Sequence, residues 1–488
     1  MLLSCTLNMG GKVMKVKLSK YLESQKSVLQ NVVNILSEDY DYVSILGVDT
    51  KGKSYKVRKS STSLEDSVWF ERGYVLRVHN GKNYSEYSFN VIDEDVNTFT
   101  NKLKQELDRN IKAMSDISNP QNEYPVVEEE ALMDSFLSEI EIDPATVSVK
   151  EKIAKLTETV ESGLKSSDEV IDFIAAYEDV HISKVFVSKQ KTLEQAYVWS
   201  SGFLEALARR EDETKFFYRT IGDMKGVELL HELCDLKDEV IEGALKLLSS
   251  GKVEPGEYDI ICAPDIAGLI AHEAFGHGVE MDMFVKNRAK AIEYLDKPVG
   301  SEHVSMKDGA KSAYSVSSYL FDDEGSLGTD TQVIEKGILK SGISDMLSAL
   351  KLGTKPTGNG KRENFERKAY SRMTNTFFTA GEHKLDDMIK TIDKGYLLEG
   401  ILSGMEDPKN WGIQCMVLQG KEILGGKLTG KVVSPVIMTG YVPDVLSSID
   451  MVSDTIEIDG AGSCGKGHKE WVKTADGGPY IKAKGRLG

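Results

Sequence analysis

Hydrophobic and polar positions repeat with two different periods in the first half of the chain. Apolar residues recur every three or four positions across residues 17–36 and 96–114, which predicts amphipathic helices, and two more helical stretches are expected within 214–249. Shorter segments alternate with a period of two between glycine or polar turns, which predicts strands. These segments are 42–46, 54–58, 74–78, 175–178, 183–188 and 194–200. The first half should therefore combine helices with an antiparallel sheet.

The second half carries many short strand-like segments that are bounded by glycine. They are 259–262, 315–321, 333–339, 374–378, 395–400, 412–418, 431–438 and 455–458. Since 488 residues exceed what a single core usually supports, two domains are expected, with Pro255 marking the boundary. We predict an α+β fold with a helix-plus-antiparallel-sheet domain at 15–251 and a β-rich domain at 252–488 that carries the metal site. Residues 1–14 are interpreted as a disordered or non-native start.

Composition narrows the classes of partner. The chain has 60 Lys and Arg against 77 Asp and Glu, a net charge of −17, which repels phosphate backbones and anionic lipid. Its 5 cysteines are odd in number and widely scattered, which is not typical of a disulfide framework and favours a reducing compartment. No apolar run approaches the roughly 20 residues of a membrane-spanning helix. We expect a cytoplasmic protein that binds neither nucleic acid nor membrane.

The most informative segment is 258–280, which reads YDIICAPDIAGLIAHEAFGHGVE. Asp265 is placed as the N-cap of a helix whose following residues are apolar on nearly every side, which predicts a buried helix. That helix contains His272, Glu273 and His277. Burying a carboxylate without a partner costs several kcal/mol, whereas a divalent cation bound by the imidazoles would stabilise it. The pattern therefore predicts a Zn²⁺ site in which Glu273 takes a proton from the metal-bound water.

The spacing of the two histidines differs from that of the familiar metalloprotease helix. There the histidines stand at i and i+4, about 40° apart in projection, whereas His272 and His277 stand at i and i+5, about 140° apart on a regular α-helix. A π-turn of about 4.4 residues would return them to one side. We predict a π-bulge or a helix end within 273–278, with Gly276 as the permissive position.

A third ligand must come from elsewhere in the chain. The glycine-rich segment 460–468, GAGSCGKGH, holds Cys464 at its centre, and a thiolate would complete a His₂Cys set that leaves one position for water. Asp or Glu ligands remain alternatives on this reasoning.

Several separated segments together resemble the TldD/PmbA family of modulators and metallopeptidases. They are HEAFGHGVE at 272–280, DDEG at 322–325, RMTNT at 372–376, Gly395-Tyr396, the stretch 431–454, SCGKG at 463–467 and Gly477-Gly478-Pro479. The resemblance implies that His272, His277 and Cys464 are the zinc ligands and Glu273 the catalytic residue. It also implies a dimer that encloses a chamber for peptides or unfolded polypeptides. The motif-bearing chain resembles the TldD-type partner, either as a homodimer or as a heterodimer with a PmbA-type paralogue.

Three further residues are candidates for substrate contact. Arg372 and Asn375 lie in the RMTNT segment, and His468 follows the cysteine loop where many relatives are expected to have glutamine. The leading hypothesis is zinc-dependent peptide hydrolysis. Two alternatives stay open: a cysteine-dependent hydrolase that uses Cys464 as nucleophile, and a non-catalytic peptide-binding or regulatory subunit with a structural metal.

Overall fold

The computed structural model describes residues 13–92, 95–115 and 123–488. Within them the chain is mixed α/β and rich in sheet, as the sequence predicted at that level. The predicted non-native start, 1–14, falls almost wholly outside the described residues. The α-helices are Lys20–Leu36, Val96–Ser115, Val149–Lys165, Glu228–Asp235, Lys237–Leu247, Pro264–Leu269, Met281–Val285, Met346–Leu352, Leu385–Lys390 and Val442–Ser447. None of the described helices is long and apolar enough to cross a membrane.

The first sheet is built from the first half of the chain and has eight strands. Its main path runs, in spatial order, through Glu213–Asp223, Lys191–Arg210, Val170–Ser188, Tyr42–Arg58, Glu71–His79 and Tyr84–Phe89. Two more strands join its sides, Ser61–Asp66 and Leu132–Leu137. The helices Lys20–Leu36 and Val149–Lys165 begin at serine N-caps, Ser19 and Ser148, whose side chains accept backbone N–H bonds. Each buries an apolar stripe against this sheet.

The second sheet, of seven strands, comes from the second half and closes on itself. Its path runs through Gly256–Cys262, Lys394–Asp407, Gly412–Leu424, Val436–Tyr441, Ile481–Leu487 and Met451–Val452, with Lys427–Val433 joined to one side. Gly256–Cys262 pairs with both Lys394–Asp407 and Ile481–Leu487, so the path forms a ring. The helix that contains His272 and Glu273, which we call the functional helix, begins directly after Gly256–Cys262.

The third sheet has six strands and lies on the other side of that helix. Its spatial order is Ile338–Leu339, Thr331–Glu335, Met306–Asp308, Asn375–Phe378, Ala475–Gly478 and Glu457–Asp459. Three two-stranded ribbons complete the described strands: Met14–Lys15 with Glu139–Ile140, Gly360–Lys361 with Tyr370–Ser371, and Ser463–Cys464 with Val472–Lys473. Each strand of the three large sheets lies wholly before or wholly after residue 251 in the sequence. The division into two domains stays a prediction.

Several sequence predictions differ from the structure at the level of single elements. The two helical stretches expected within 214–249 are confirmed as Glu228–Asp235 and Lys237–Leu247, but residues 214–223 at the start of that range form the edge strand Glu213–Asp223. Residues 315–321 were predicted as a strand but form turns. There the side-chain oxygen of Gln195 accepts the N–H groups of Leu320 and Phe321, so these donors have no strand partner.

Candidate metal centre

The functional helix changes its hydrogen-bonding pattern at the predicted place. It is α-helical over Pro264–Leu269, becomes a π-helix over Ile270–Gly276 and ends in a 3-10 turn at His277–Val279. The N–H of His277 donates to the carbonyl of His272, five residues back. The prediction of a π-bulge within 273–278 is confirmed.

Gly276 serves this turn through its size and not through its backbone freedom. Its φ of −58° is ordinary for a helix, so any residue could adopt it. A Cβ on Gly276, however, would lie 2.1 Å from Sδ of Met373, which packs against the helix there. The wide turn is therefore packed closely against Met373, whose side chain would have to shift to admit a residue larger than glycine.

The start of the helix differs from the prediction. Ala263 is the N-cap and Pro264 the first helical residue, so Asp265 lies inside the first turn. Its carboxylate accepts the N–H groups of Ile266 and Gly400. Proline suits the first helical position because that residue's N–H has no intrahelical partner. Asp265 thus links the helix to the strand Lys394–Asp407 of the second sheet.

His272, His277 and Cys464 lie together although 187 residues separate His277 from Cys464. Their candidate ligand atoms all lie within 4.8 Å of one another, and Sγ of Cys464 is 3.4 Å from Nε2 of His277. The two imidazole rings stand nearly perpendicular, with centroids 5.2 Å apart. Nitrogen at about 2.0 Å and sulfur at about 2.3 Å from a tetrahedral zinc lie about 3.6 Å from each other. The donor types and spacing fit zinc, with one position left over.

Carboxylates stand behind both histidines. Nδ1 of His272 is buried without a hydrogen-bond partner, 3.6 Å from Oδ2 of Asp476. Nδ1 of His277 is 3.6 Å from Oε1 of Glu280. Glu280 also accepts bonds from Lys466 at 2.7 Å and Arg372 at 3.3 Å. Metal-bound histidines commonly direct their second nitrogen at a carboxylate, which fixes the ring orientation, so this arrangement also fits a metal site.

Arg372 is fully buried, and its guanidinium is committed to the cysteine loop. Nη2 donates to Sγ of Cys464 at 3.0 Å and to the backbone carbonyl of Cys464 at 2.8 Å. Nη1 donates to the carbonyl of Glu470. The predicted substrate-contact role of Arg372 therefore stays a prediction, since in this structure the group holds Cys464 in place.

The other two candidates for substrate contact, Asn375 and His468, have different surroundings from the three candidate metal ligands. Asn375 is fully buried in the third sheet, where its amide donates to Gly309, Ala313 and Ser318, while its oxygen has no partner. His468 is exposed in the turn between the strands Ser463–Cys464 and Val472–Lys473. Substrate contact by either residue stays a prediction.

The electrostatics of the site favour a thiolate and a basic carboxylate. Burial opposes ionisation of Cys464, but His272 and His277 outweigh it and lower the pKa of the thiol to about 5. Burial also raises the pKa of Glu273 above its ordinary value, although both histidines oppose the shift. A carboxylate with a raised pKa is a better proton acceptor at neutral pH than an exposed one.

Sequence reasoning missed four residues of this site. Glu280 and Asp476 stand behind the histidines, Lys466 donates to Glu280 and Asp282, and Glu406 lies on the strand that crosses the helix. Glu280 and Lys466 had a local signal, because Glu280 follows His277 by three residues and Lys466 follows Cys464 by two. Asp476 and Glu406 are brought in by pairings between distant strands, which the local pattern does not encode.

A family model and curated relatives match this chain. Residues 255–485 match the PmbA/TldA metallopeptidase C-terminal domain. A metalloprotease of Methanocaldococcus jannaschii is 26% identical over 437 residues, which cover 88% of this chain and 94% of the relative. A metalloprotease TldD homolog of Buchnera aphidicola subsp. Acyrthosiphon pisum is 33% identical over 237 residues, 47% of each chain. A zinc metalloprotease TldD homolog of Saccharolobus solfataricus is 26% identical, covering 68% of this chain and 73% of its own.

Solved structures share the fold. A Thermotoga maritima protein described as a modulator of a DNA gyrase superposes with a TM-score of 0.74 at 20% identity, covering 95% of this chain and 100% of its own. TldE of Thermococcus kodakarensis superposes with a TM-score of 0.70 at 17% identity, covering 94% and 99%. At such identities the likeness concerns the fold.

Proposed function

We propose that this chain, whose residues 255–485 match the PmbA/TldA metallopeptidase C-terminal domain, is a zinc-dependent peptidase that hydrolyses peptides or unfolded polypeptides. The observation that carries this proposal is the convergence of His272, His277 and Cys464 within 4.8 Å, with Glu273 on the same π-helical turn. Relatives that span most of the chain are named metalloproteases, and one is named for zinc.

In this proposal each side chain has a defined task. His272, His277 and Cys464 hold the ion, with Asp476 and Glu280 orienting the two rings. When bound there, zinc would supply Lewis acidity that polarises a carbonyl oxygen and lowers the pKa of a water molecule. Glu273 takes the proton from that water and delivers it to the leaving amine.

Arg372 supports this arrangement through its bonds to Cys464. Its guanidinium contacts both Sγ and the backbone carbonyl of that residue, so it restrains the loop as well as the sulfur. We assign Arg372 a positioning role, because its guanidinium bonds to Cys464 and to the backbone carbonyl of Glu470.

Metal analysis tests the proposal most directly. The purified protein is expected to contain about one zinc per chain, and Cys464→Ala is expected to lose it. A matched control is Cys234→Ala, because Cys234 is buried in another cluster away from the three donors. Zinc-loaded protein should cleave unstructured peptides, and removal of zinc should abolish the cleavage. A protein that binds no zinc after supplementation, or that cleaves equally without it, would contradict the proposal.

A cysteine-dependent hydrolase is the second candidate, and one observation favours it. Sγ of Cys464 lies 3.4 Å from a histidine nitrogen, and the thiol pKa is lowered to about 5. Alkylation separates the two functions. Zinc should protect Cys464 from iodoacetamide if it is a ligand, whereas alkylation of a catalytic thiol would abolish hydrolysis in the presence of chelator.

We also propose that the active form is a dimer, either of two copies or with a PmbA-type paralogue. The support is the fold shared with TldE and other family members. Light scattering on the purified chain, alone and mixed with such a paralogue, measures the assembly. A monomer that is fully active alone would contradict it.

A further inference from the structure

One carboxyl group beside the candidate metal centre is buried without a partner in the described structure. Both carboxylate oxygens of Glu406 are enclosed, and neither has a hydrogen-bond partner. Leaving such a group unpaired costs several kcal/mol. An unpaired buried group next to a candidate active site is therefore a functional feature to be explained.

Glu406 reaches this place on a strand that crosses the functional helix. Gly404, two residues earlier on Lys394–Asp407, is so close to the helix that its Cβ would lie 2.7 Å from Cγ of Glu273. Residues two apart on a strand share a face, so Glu406 points the same way. Its Oε1 lies 3.4 Å from the position of a Cβ on Gly278, the residue after His277. On this strand, Gly404 thus lies against Glu273, and Glu406 lies against Gly278 at the end of the helical turn.

A second unpartnered polar group lies at the same point. Nε1 of Trp411 is buried without a hydrogen-bond partner, 3.9 Å from the same Cβ position on Gly278. The Trp411 side chain is fully buried and packs against Phe275, Tyr294 and Tyr441. Its ring is therefore fixed, and an acceptor and a donor both lie within 3.9 Å of the Cβ position on Gly278. Nζ of Lys290 lies 5.0 Å from the centroid of the Trp411 ring.

The charges around this point are unbalanced. Glu280 pairs with Arg372 and Lys466. Neither Glu273 nor Glu406 forms an ion pair with any described lysine, arginine or histidine. The nearest cationic groups to both glutamates are the histidines of the candidate metal centre, and burial raises the pKa of Glu406 to about 9. A positively charged N–H donor that enters here would favour ionisation of Glu406 and is the complementary ligand.

We propose that Glu406 and Trp411 form a subsite of the metal centre that receives a cationic nitrogen group of the peptide, either its α-ammonium group or a lysine or arginine side chain. This inference rests on the proposed peptidase function. The Glu406 carboxylate accepts the N–H bonds of the cation, and Nε1 of Trp411 donates to an adjacent peptide carbonyl.

Peptide binding to the Glu273→Gln protein tests the subsite without hydrolysis. Fluorescence anisotropy would compare an N-acetylated neutral peptide, the same peptide with a free amino terminus, and acetylated peptides with one lysine in place of methionine at successive positions. At least one cationic series should bind about tenfold more tightly than the neutral peptide. The series that gains identifies whether the α-ammonium group or a side chain is bound.

Adding Glu406→Gln should abolish that gain, so that neutral and cationic peptides bind with the same Kd. The chain's net charge of −17 attracts cations in general, so Glu302→Gln, which removes one exposed carboxylate, is the matched control and should keep the gain. Trp411→Phe keeps the ring, removes the donor and should weaken every peptide by a few-fold.

Equal affinity of the Glu273→Gln protein for neutral and cationic peptides would overturn the subsite, and this comparison needs no change at Glu406. An unchanged gain in Glu406→Gln would also overturn it, because the two groups would then be a closed pair that bond to each other. Failure of the peptidase proposal is distinguishable. Charge-selective binding without hydrolysis by the wild type would keep the subsite, whereas hydrolysis with charge-blind binding would keep the peptidase alone.

Discussion

Two clusters of charged side chains are buried in this molecule, one between its two halves and one around the π-helical turn. In the first cluster, Arg77 and Glu86 from the first sheet meet Glu324 and Arg362 from the second half of the chain. Arg77 bonds to both glutamates, Arg362 bonds to Glu86 through two nitrogens, and Glu324 also accepts the backbone N–H of Met346. The two positive and two negative charges cancel and each side chain has an oppositely charged partner, although Nε of Arg362 has no hydrogen-bond partner among the described residues.

The second cluster is not closed in this way. Nδ1 of His272, both oxygens of Glu406 and Nε1 of Trp411 are buried without hydrogen-bond partners among the described residues. These groups surround three potential metal-ligand atoms that lie within 4.8 Å of one another. The first cluster joins two parts of the fold by charge pairing, whereas several unpaired polar groups around candidate metal ligands are typical of a functional site.

The largest effect should come from Glu273→Gln, which keeps the shape of the open cluster and removes its base. Loss of a positioned proton acceptor typically costs 10²–10⁴-fold in rate, so peptide cleavage should fall by about that factor. Zinc content should stay at the wild-type level, because Glu273 is not among the three donor residues. Cleavage of a fluorogenic peptide together with metal analysis measures both. Glu302→Gln is the control, and full activity in Glu273→Gln would show that this carboxylate is not the base.

Breaking the closed cluster should affect stability and not metal binding. Glu324→Gln leaves the buried guanidinium of Arg77 without one of its two carboxylates, and removing one partner of a buried pair costs about 3–5 kcal/mol. Urea unfolding should show this loss, while zinc content per folded chain stays unchanged. Glu161→Gln breaks an exposed pair with Lys165 and should cost less than about 1 kcal/mol. Equal effects of the two changes would contradict the distinction between the clusters.

The open cluster was the more predictable of the two, because most of it is local in sequence. His272, Glu273 and His277 lie within six positions, and their spacing alone required a wide helical turn. Cys464 came from a glycine-rich segment and the family resemblance. Asp476 could not be found this way, since it reaches His272 only through the parallel pairing of Ala475–Gly478 with Asn375–Phe378.

The closed cluster had no local signal at all. Arg77 and Glu86 sit on neighbouring strands, but Glu324 is 247 residues from Arg77 in sequence, and ordinary charged residues in a strand usually face solvent. The wrong prediction of a strand at 315–321 also has its cause in distant contacts. Residues 315–321 alternate like a strand, yet their backbone bonds go to side chains such as Gln195, which no periodicity reveals. Helix and strand patterns report which face is buried, not which distant group covers it.

A smaller effect is expected from Asp476→Asn, which tests whether the open cluster extends to the carboxylates behind the ligands. Loss of such a partner typically weakens metal binding by about 10–100-fold. Competition with a chromogenic chelator measures the zinc affinity independently of hydrolysis. Asp393→Asn makes the same chemical change at an exposed position and should leave the affinity unchanged. An unaltered affinity in Asp476→Asn would mean that His272 is oriented by its helix alone.

The smallest effect is the acid sensitivity of the closed cluster. Burial alone would raise the pKa of Glu86, but Arg362 and Arg77 outweigh it and hold that pKa well below its ordinary value. A depressed folded-state pKa stabilises the fold fully above the unfolded value of about 4.3, and this contribution is lost as the pH falls toward the folded-state value. One pKa unit corresponds to about 1.4 kcal/mol, so the stability difference between the wild type and Glu86→Gln should shrink by on the order of 1 kcal/mol from pH 5 to pH 3. Urea unfolding at several pH values measures this difference, and a difference that stays constant with pH would show that Glu86 contributes shape and hydrogen bonds but not charge.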